Sequence, residues 1–376
     1  MIPATHYNFS PLDQIIANVI APAADTVDRQ GLFPRQGIDA LAKAGLLGLV
    51  SAKDLGGAGC GLFEAAQVIE RLGKACSSTA MVVCMHYSAT AVIEAYGPTD
   101  VRRAIATGQH LTTLAFSEVG SRSHFWAPLS TATAVGEQVK LDAKKSWVTS
   151  AGEADSYVWS SKPLAGAGAS SLWLMPKSAV GLTITAPFDG LGLRGNNSSP
   201  ITATGVMVPT SAMLGADGGG FDLMMGTVLP WFQLMNAAMS IGLMNAAVEA
   251  TAKHANQARF EHLGQSLAEQ SVPRAKIAKM RLQADLARGL WLDTMAAIAA
   301  DRPDKMLRVL EVKWAASDAA LEVTDLGMRV CGGAAFRREV GIERLFRDAR
   351  AAAVMAPTSD VLADFIGKAA CGLPLF

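Results

Sequence analysis

The sequence predicts an α+β protein that is mostly helical and contains three domains. Apolar residues recur at helical spacing near both ends, and short runs rich in β-branched residues occupy the middle. We place an N-terminal helical domain at residues 1–109, a middle β-barrel domain at 110–216 and a C-terminal four-helix bundle at 217–376. A chain of 376 residues, 50% of them hydrophobic, is long enough to build this many cores.

Helical periodicity defines the first domain. The segments Leu12–Val27, Gly37–Leu47 and Phe63–Leu72 carry apolar residues three and four positions apart, which places them on one face of a helix. Pro34 and the cluster Gly56–Gly59 separate these segments, as helix-breaking residues do. We therefore expect several short helices here.

The middle domain changes to short runs rich in Val, Ile, Thr and Trp, with Gly, Pro, Asn and Ser between them. Frequent turns between short strands are typical of a small β-barrel or sandwich. The expected strands are Thr112–Phe116, Ser156–Ser160, Leu172–Met175, Leu182–Thr185 and Ile201–Val208.

Long amphipathic segments follow. One helix face is apolar from Ile277 to Ile298, and Leu282, Leu286 and Leu290 form a second stripe, so this helix is expected to contact neighbours on two sides. An antiparallel four-helix bundle is the natural packing for such segments. Helices are expected at about residues 228–261, 272–300, 304–329 and 339–353, with a last one after Pro357.

Charge and cysteine content exclude several classes of partner. Lys+Arg and Asp+Glu each total 33, so the net charge is zero and nucleic-acid binding is not expected. The five cysteines are scattered without CxxC spacing, as in reduced cytoplasmic proteins. No secretory signal is visible, and no apolar run approaches the roughly 20 residues that span a bilayer. We expect a cytoplasmic protein without a membrane partner or a metal site.

The most informative segments are Glu343–Arg350, with the sequence ERLFRDAR, and Met355–Asp360, with the sequence MAPTSD. They resemble the C-terminal signature of the acyl-CoA dehydrogenase superfamily, in which an ERxxRDA run precedes a YEGTSE-like turn. The order of the three domains is also that of the family. The resemblance implies a flavoenzyme whose catalytic base is usually the Glu of that turn. Ala356 stands at this position here, and an alanine cannot accept a proton.

Two motifs of the middle domain resemble flavin-binding segments of the family. Leu114–His124 is similar to the strand and turn beside the flavin ring, and Lys145–Ser150 is similar to a KxWITN motif. The residues that the resemblance assigns to FAD here are Phe116, Ser117, Ser123, Trp147 and Thr149. The indole is expected to stack on the flavin and the threonine hydroxyl to lie near its reactive nitrogen. The alternative for a strand tryptophan is ordinary sheet core.

Further cofactor contacts are implied in the C-terminal domain. Arg259 matches an arginine that reaches the FAD diphosphate of a neighbouring subunit. Arg329, Gly332 and Gly333 resemble the QxxGGxGF segment beside the same cofactor, with arginine in place of the usual glutamine. These contacts imply a homodimer or a homotetramer.

Thr358 and Asp360 match the end of the family's final turn, which lies against the FAD dinucleotide. A second interpretation is a helix N-terminus, where a threonine caps the backbone and an aspartate opposes the helix dipole. The two interpretations are compatible.

The chain also departs from the family at a second base position. Some relatives carry the base on the first bundle helix, and alignment through Ile241–Met244 puts Phe232 there. The same alignment puts Pro230 and Gln233 where many relatives have an Asp and an Arg that contact pantetheine. Both usual bases and two usual thioester-carrier contacts are therefore absent.

Other residues are candidates for the chemistry. His86, Ser123 and His124 are the candidate catalytic groups. Relatives that act as flavin monooxygenases carry a His and a Ser at places similar to those of His86 and Ser123. His124 is alternatively a packed turn residue. Arg122 is the candidate for binding an anionic substrate group, with a solvated side chain as the alternative.

Three functions follow from these residues. The first is an FAD-dependent oxidoreductase with an unusual or relocated base, acting on a small molecule, with an acyl-CoA among the candidates. The second is a flavin-dependent monooxygenase on a non-thioester substrate, for which FMN is an alternative cofactor. The third is a catalytically silent flavin-binding scaffold. An electron-transfer flavoprotein or a flavin reductase is the expected redox partner.

Overall fold

The structure is a computed structural model that describes residues 7–122 and 124–374. Ser123, a predicted catalytic and flavin-binding residue, lies outside the described residues. The element order is helices, then strands, then longer helices, which confirms the predicted fold class.

Short helices surround one buried helix in the first domain. The segment Ser77–Tyr96 is apolar on every face and is buried along most of its length, as expected for a helix at the centre of a core. The helices are α1 Ser10–Ile15, α2 Ala21–Gln30, α3 Arg35–Lys43, α4 Leu62–Ala75, α5 Ser77–Tyr96 and α6 Thr99–Ala106. Helix α5 also faces the other two domains, so it can contribute side chains to a site between them.

Within the described residues, the strands of the middle domain pair into two four-stranded sheets. The strands are β1 Thr112–Ala115, β2 Thr131–Val135, β3 Gln138–Val148, β4 Ser156–Ser161, β5 Ser171–Pro176, β6 Leu182–Ile184, β7 Ser199–Pro209 and β8 Met213–Leu214. One sheet has the order β1-β4-β5-β8 and the other β2-β3-β7-β6. Strands β1 and β4 are parallel, and the remaining pairs are antiparallel. The two inner faces share one apolar core.

Strand β3 is irregular where it approaches the other domains. Its register against β7 shifts between Lys145 and Val148, which is the signature of a β-bulge. A bulge adds a residue to one strand and re-aims the side chains around it. As a result Trp147 has φ +55° and its side chain is 62% exposed, although it belongs to a long, central strand.

The C-terminal helices form the predicted bundle and begin and end within a few residues of the expected positions. They are α7 Gly220–Leu223, α8 Leu229–Gln257, α9 Ser271–Ala299, α10 Lys305–Cys331, α11 Ile342–Val354 and α12 Ser359–Ala370. A short ribbon of β9 Arg259–Phe260 and β10 Gln265–Ser266 follows α8. Across the described ranges, we find no helix with both the length and the hydrophobicity of a membrane span.

Candidate active site

A cleft of about 910 Å³ lies where the three domains meet. Its lining residues come from α5, the segments after β1 and β3, the loop before β7, the start of α8 and the end of α11 with the following turn. The volume is within the range of small-molecule and cofactor sites. Several of the sequence-predicted residues line this cleft: Phe116, Ser117, Arg122, Trp147, Thr149, Phe232 and Ala356.

Most of the cleft wall is apolar. Met81 and Met85 contribute from α5, and Leu229 and Phe232 contribute from the start of α8. Hydroxyl groups form the polar part: Thr149 Oγ1 and Ser198 Oγ are 3.3 Å apart, and Ser117 lines the cleft on the neighbouring strand. The Ser117 carbonyl accepts a hydrogen bond of 2.9 Å from the Ser146 amide, which joins the two sheets at this point. An apolar cavity with a few hydroxyls suits a flat organic ring with one polar edge.

An aromatic pair stands at the cleft. The Trp147 ring stacks on the Phe188 ring, with the centroids 4.0 Å apart and the planes inclined by 30°. Phe188 lies on the loop between β6 and β7, and its amide donates to the Ser198 carbonyl at 2.9 Å. The bulge in β3 and this hydrogen bond bring the two rings together. Trp147 is thus a cleft residue and not sheet core.

Backbone strain is concentrated around the cleft. Arg122, Trp147 and Leu193 all line it and have φ values of +49°, +55° and +52°. Ser150 and Asn197, which are adjacent to lining residues, also have positive φ. Residues other than glycine adopt this conformation at a free-energy cost, and such outliers cluster at functional sites. The distribution supports the cleft as the functional site.

The one carboxylate among the described lining residues already forms an ion pair within the protein. Glu118 Oε1 lies 2.6 Å from Lys145 Nζ, and the two side chains are 2% and 0% exposed. Glu118 also accepts hydrogen bonds from the Leu129 amide at 2.5 Å and from the Ser130 amide at 3.0 Å. Burial alone would raise the pKa of the Glu118 carboxyl, but Lys145 and these donors hold the pKa below its usual value. Glu118 is therefore a structural anion and a poor proton acceptor.

The two positions that the sequence resemblance predicts as base positions of the family face this same cleft with apolar side chains. Ala356 lies in the turn Met355–Pro357 and Phe232 lies on α8, and each lines the cavity. Behind the turn, the buried Lys313 Nζ donates to the Met355 carbonyl at 2.9 Å and to the Pro357 carbonyl at 2.7 Å. The turn is thus held from inside the bundle, and its cleft side offers no proton acceptor.

The ERLFRDAR segment positions the opposite wall. Arg347 makes a bidentate ion pair with Asp28, with N–O distances of 2.8 and 2.6 Å, and so joins α11 to α2. Asp348 accepts a 2.7 Å hydrogen bond from the Leu193 amide, and burial raises the pKa of Asp348 to about 6. A Cβ on Gly192 would come within 2.5 Å of the Arg347 carbonyl oxygen, so the wall packs directly on the α11 backbone.

His86 lies outside the cleft wall. It is fully buried, its Nε2 is 3.0 Å from the Leu47 carbonyl oxygen, and its Nδ1 accepts from the Thr112 amide at 3.2 Å. An amide can donate only to an unprotonated nitrogen, so Nε2 carries the proton and donates to Leu47. Burial lowers the pKa of His86 to about 4, which keeps the ring neutral. These contacts make His86 a structural tie, and we do not assign it to the chemistry.

His124 is likewise absent from the cleft wall. It is exposed, and its ring lies 5.1 Å from the Trp126 ring in a separate shallow pocket of about 370 Å³ that Asp360 also lines. Thr358 caps α12, with its hydroxyl accepting from the Val361 amide at 3.4 Å. The alternative of a packed turn residue therefore fits His124, and the capping interpretation fits Thr358.

The residues assigned to a neighbouring subunit's cofactor are on the surface of the bundle. Arg259, Arg329, Gly332 and Gly333 are exposed and none of them lines the cleft. Phe336, at the end of the same glycine segment, is 83% exposed. Within one chain these residues are therefore separate from Trp147 and Thr149.

Sequence reasoning missed Phe188 and Lys313. Phe188 was missed because it lies in a loop whose sequence has neither strand nor helix periodicity. Lys313 was missed because a lysine in an amphipathic helix normally predicts a solvated position. In the structure it is buried on the apolar face of α10.

Models of three acyl-CoA dehydrogenase domains match the chain in order. The N-terminal domain matches residues 11–108, the middle domain 113–206 and the C-terminal domain 218–371. The chain belongs to the acyl-CoA dehydrogenase family. This membership confirms the prediction of an acyl-CoA dehydrogenase-like flavin oxidoreductase and leaves its specific reaction open.

Relatives within the family cover nearly the whole chain. The probable acyl-CoA dehydrogenase YngJ of Bacillus subtilis (strain 168) is 28% identical over 350 residues, which is 91% of each chain. Butyryl-CoA dehydrogenase from Megasphaera elsdenii superimposes with a TM-score of 0.90 at 21% identity over 98% of this chain and 100% of that chain. A structure of PigA with FAD and proline gives a TM-score of 0.88 at 20% identity over 99% and 100%. At such identities the solved structures support the fold alone.

Proposed function

We propose that this protein is an FAD-dependent oxidoreductase that acts on its substrate without a side-chain base at position 356. One observation supports the proposal: Ala356 and Phe232, which the sequence resemblance assigns to the family's base positions, line the cleft with apolar side chains, while Glu118, the carboxylate among its described lining residues, is neutralised by Lys145. A cleft of this composition suits a flavin and offers no free side-chain carboxylate for α-proton abstraction among its described lining residues.

The residues present fit a flavin. An isoalloxazine is a flat ring system with a polar edge, and the cleft sets the Trp147 and Phe188 rings beside the hydroxyls of Ser117 and Thr149. Its volume accommodates such a ring together with a substrate. Membership of the acyl-CoA dehydrogenase family and the PigA structure with FAD support FAD over FMN.

Each cleft residue has a role that follows from its contacts. FAD, when bound, supplies the exchange of electrons with the substrate. Trp147, Ser117 and Thr149 would hold and orient the ring, and the methionines of α5 exclude water from its surroundings. A proton that leaves the substrate finds no free carboxylate or imidazole among the described lining residues. The proposed proton acceptor is therefore water or a group on the substrate itself.

The same observation favours a second candidate, a flavin-dependent monooxygenase. Oxygen activation by a reduced flavin does not require a carboxylate at position 356. A flavin reductase would then be the redox partner in place of an electron-transfer flavoprotein. The scaffold hypothesis predicts instead a bound flavin that no acyl-CoA reduces and that transfers no oxygen to a substrate.

Oligomer formation belongs to this proposal. Arg259, Arg329, Gly332 and Gly333 are exposed and lie apart from the cleft of their own chain. In a homodimer or homotetramer they would supply the diphosphate contacts of the cofactor that a second copy holds.

Anaerobic titration tests the function. The purified protein is expected to take up FAD, and the absorbance of the oxidised flavin is followed while acyl-CoAs of short, medium and long chain are added. We expect the wild-type protein to leave the flavin oxidised. Full bleaching of the wild-type flavin by any acyl-CoA would contradict the proposal, and so would a protein that binds no flavin.

Two variants separate the candidates. Ala356→Glu introduces a base, whereas Ala356→Gln introduces the same shape without one. Bleaching by an acyl-CoA in Ala356→Glu alone would assign a thioester-like substrate to the cleft. Without gain at any chain length, the flavin is reduced and oxygen is added. A monooxygenase then inserts one oxygen atom into its substrate, whereas a scaffold returns the electrons to oxygen as hydrogen peroxide alone.

A further inference from the structure

Three charged side chains occur among the described residues that line the cleft, and two of them are neutralised. Glu118 pairs with Lys145 at 2.6 Å. Arg194 donates to Asp189 at 2.6 Å and to the carbonyl oxygen of Asp28 at 2.9 Å. Arg122 is the third, and among the described residues no hydrogen bond or ion pair engages its guanidinium. The cleft therefore carries one uncompensated positive charge.

The backbone holds Arg122 in an unfavourable conformation. It follows Gly120, with φ +98°, and Ser121, whose hydroxyl bonds the backbone of Glu118, and it has φ +49° itself. A glycine would adopt this conformation without strain, so the arginine costs free energy that its own fold does not recover in contacts. Strain at a cleft residue of this kind indicates a role in binding.

We propose that Arg122 anchors the anionic group of an apolar organic acid that binds in the cleft. The proposal rests on the proposed function and names its substrate class. A guanidinium presents a planar fork of donors that matches a carboxylate with two parallel hydrogen bonds. The remaining wall, with Met81, Met85, Phe232 and Val354, accepts the hydrocarbon part. The absence of a free carboxylate in the described lining removes electrostatic repulsion of such an acid.

Calorimetric titration of the FAD-loaded protein with octanoate tests the assignment, with octanamide as a neutral probe of the same length. We expect octanoate to bind more tightly than octanamide, and added salt to weaken octanoate alone. Arg122→Gln is expected to lower the affinity for octanoate by about tenfold to a hundredfold and to leave the affinity for octanamide unchanged. Arg122→Lys retains the charge but not the fork, so it should recover part of the affinity.

Arg103→Gln is the matched control, because Arg103 is an exposed arginine on α6 that does not line the cleft. It is expected to bind octanoate like the wild type. Equal octanoate affinity in the wild type and Arg122→Gln would overturn the proposal. So would loss of FAD from Arg122→Gln with octanoate binding intact, because the anion would then be the cofactor's diphosphate.

Failure of the proposed function gives a different result. A wild-type protein that takes up no FAD contradicts that function, whereas octanoate binding is still measured on the flavin-free protein by the same calorimetry. A lower octanoate affinity in flavin-free Arg122→Gln would support the role of Arg122 as an anchor, and an unchanged affinity would contradict it.

Discussion

Lys313 donates a 2.7 Å hydrogen bond to the carbonyl oxygen of Pro357, across the interface between α10 and the turn that lines the cleft. A second bond of 2.9 Å reaches the Met355 carbonyl, so one ammonium holds both sides of Ala356. The lysine is completely buried. The shape of the cleft wall at position 356 therefore depends on a side chain that never contacts the cleft.

Substitution of Lys313 by methionine should change how stability depends on pH. Burial lowers the pKa of Lys313 from 10.5 to about 7, with Asp318 opposing the shift. Between these values the unfolded chain binds more protons at this residue than the folded protein, so the free energy of unfolding rises with pH. Below pH 7 the folded protein carries the full penalty of a buried charge.

Lys313→Met lacks this titration and leaves two carbonyls without donors. We expect its stability deficit to be small near pH 6 and to grow by roughly 1.4 kcal/mol per pH unit at most between pH 7 and 10. Urea unfolding at several pH values measures it. The exposed Lys253→Met is the control, and a deficit that is constant with pH would contradict the prediction.

Breaking the buried ion pair between Glu118 and Lys145 should strongly destabilise the folded protein. Glu118→Gln leaves an unpaired buried ammonium, for which we expect a loss of about 3–5 kcal/mol in the free energy of unfolding. Because the pKa of Glu118 is lowered from 4.5, the contribution of this carboxylate is present above that pH and is lost as the pH falls below it. The double variant Glu118→Gln, Lys145→Met is expected to lose less than the sum of the single variants, and additivity would refute the coupling.

Gly192 should not tolerate alanine, whereas nearby Gly190 should. A Cβ at Gly192 would lie 2.5 Å from the Arg347 carbonyl oxygen, but one at Gly190 meets only the Gly192 oxygen at an ordinary 3.5 Å. We expect Gly192→Ala to cost about 1–3 kcal/mol and Gly190→Ala to cost much less. Thermal unfolding of the two variants makes the comparison, and equal melting temperatures would show that the wall can move away from α11.

Replacement of the strained Arg122 by glycine should stabilise the protein. A residue at φ +49° other than glycine costs about 1–2 kcal/mol, and a glycine at the same place avoids that strain while making the unfolded chain more flexible. We expect Arg122→Gly to gain up to about 1 kcal/mol, and Arg122→Gln, which keeps the strain, to gain nothing. A loss of stability in Arg122→Gly alone would mean that the side chain contributes to folding.

Periodicity predicted the bundle well where a helix buries one continuous stripe, as α9 does from Met280 to Met295. The second stripe predicted on α9 is exposed at Leu282 and Leu286, so it does not pack against a neighbour there within the described part of the chain. Periodicity missed β3, although Val139, Leu141 and Ala143 alternate toward the core. The run of lysines obscured that alternation, because the inward position 145 is itself a lysine whose charge is balanced by Glu118. A buried ion pair between segments that are far apart in sequence cannot be recognised from either segment alone.

At the candidate site too, the sequence predicted what local motifs determine and missed what contacts between distant segments determine. Position in a motif correctly brought Ser117, Trp147 and Thr149 to one cleft, because a strand and its neighbour lie side by side. The contacts of His86 could not be predicted, because its partners, Leu47 and Thr112, are distant in sequence and occupy both ring nitrogens. A histidine's role depends on such partners more than on its place along a helix.

The ammonium behind Ala356 has a consequence for engineering. A glutamate placed at 356 would lie in the turn whose flanking carbonyls accept from Lys313, and the positive charge of Lys313 would favour the ionised form of the glutamate, the form in which a base accepts a proton. In return the carboxylate would raise the pKa of Lys313, so the two groups would titrate as a coupled pair. The pH at which an engineered base works at position 356 would thus depend on a lysine on the far side of the turn.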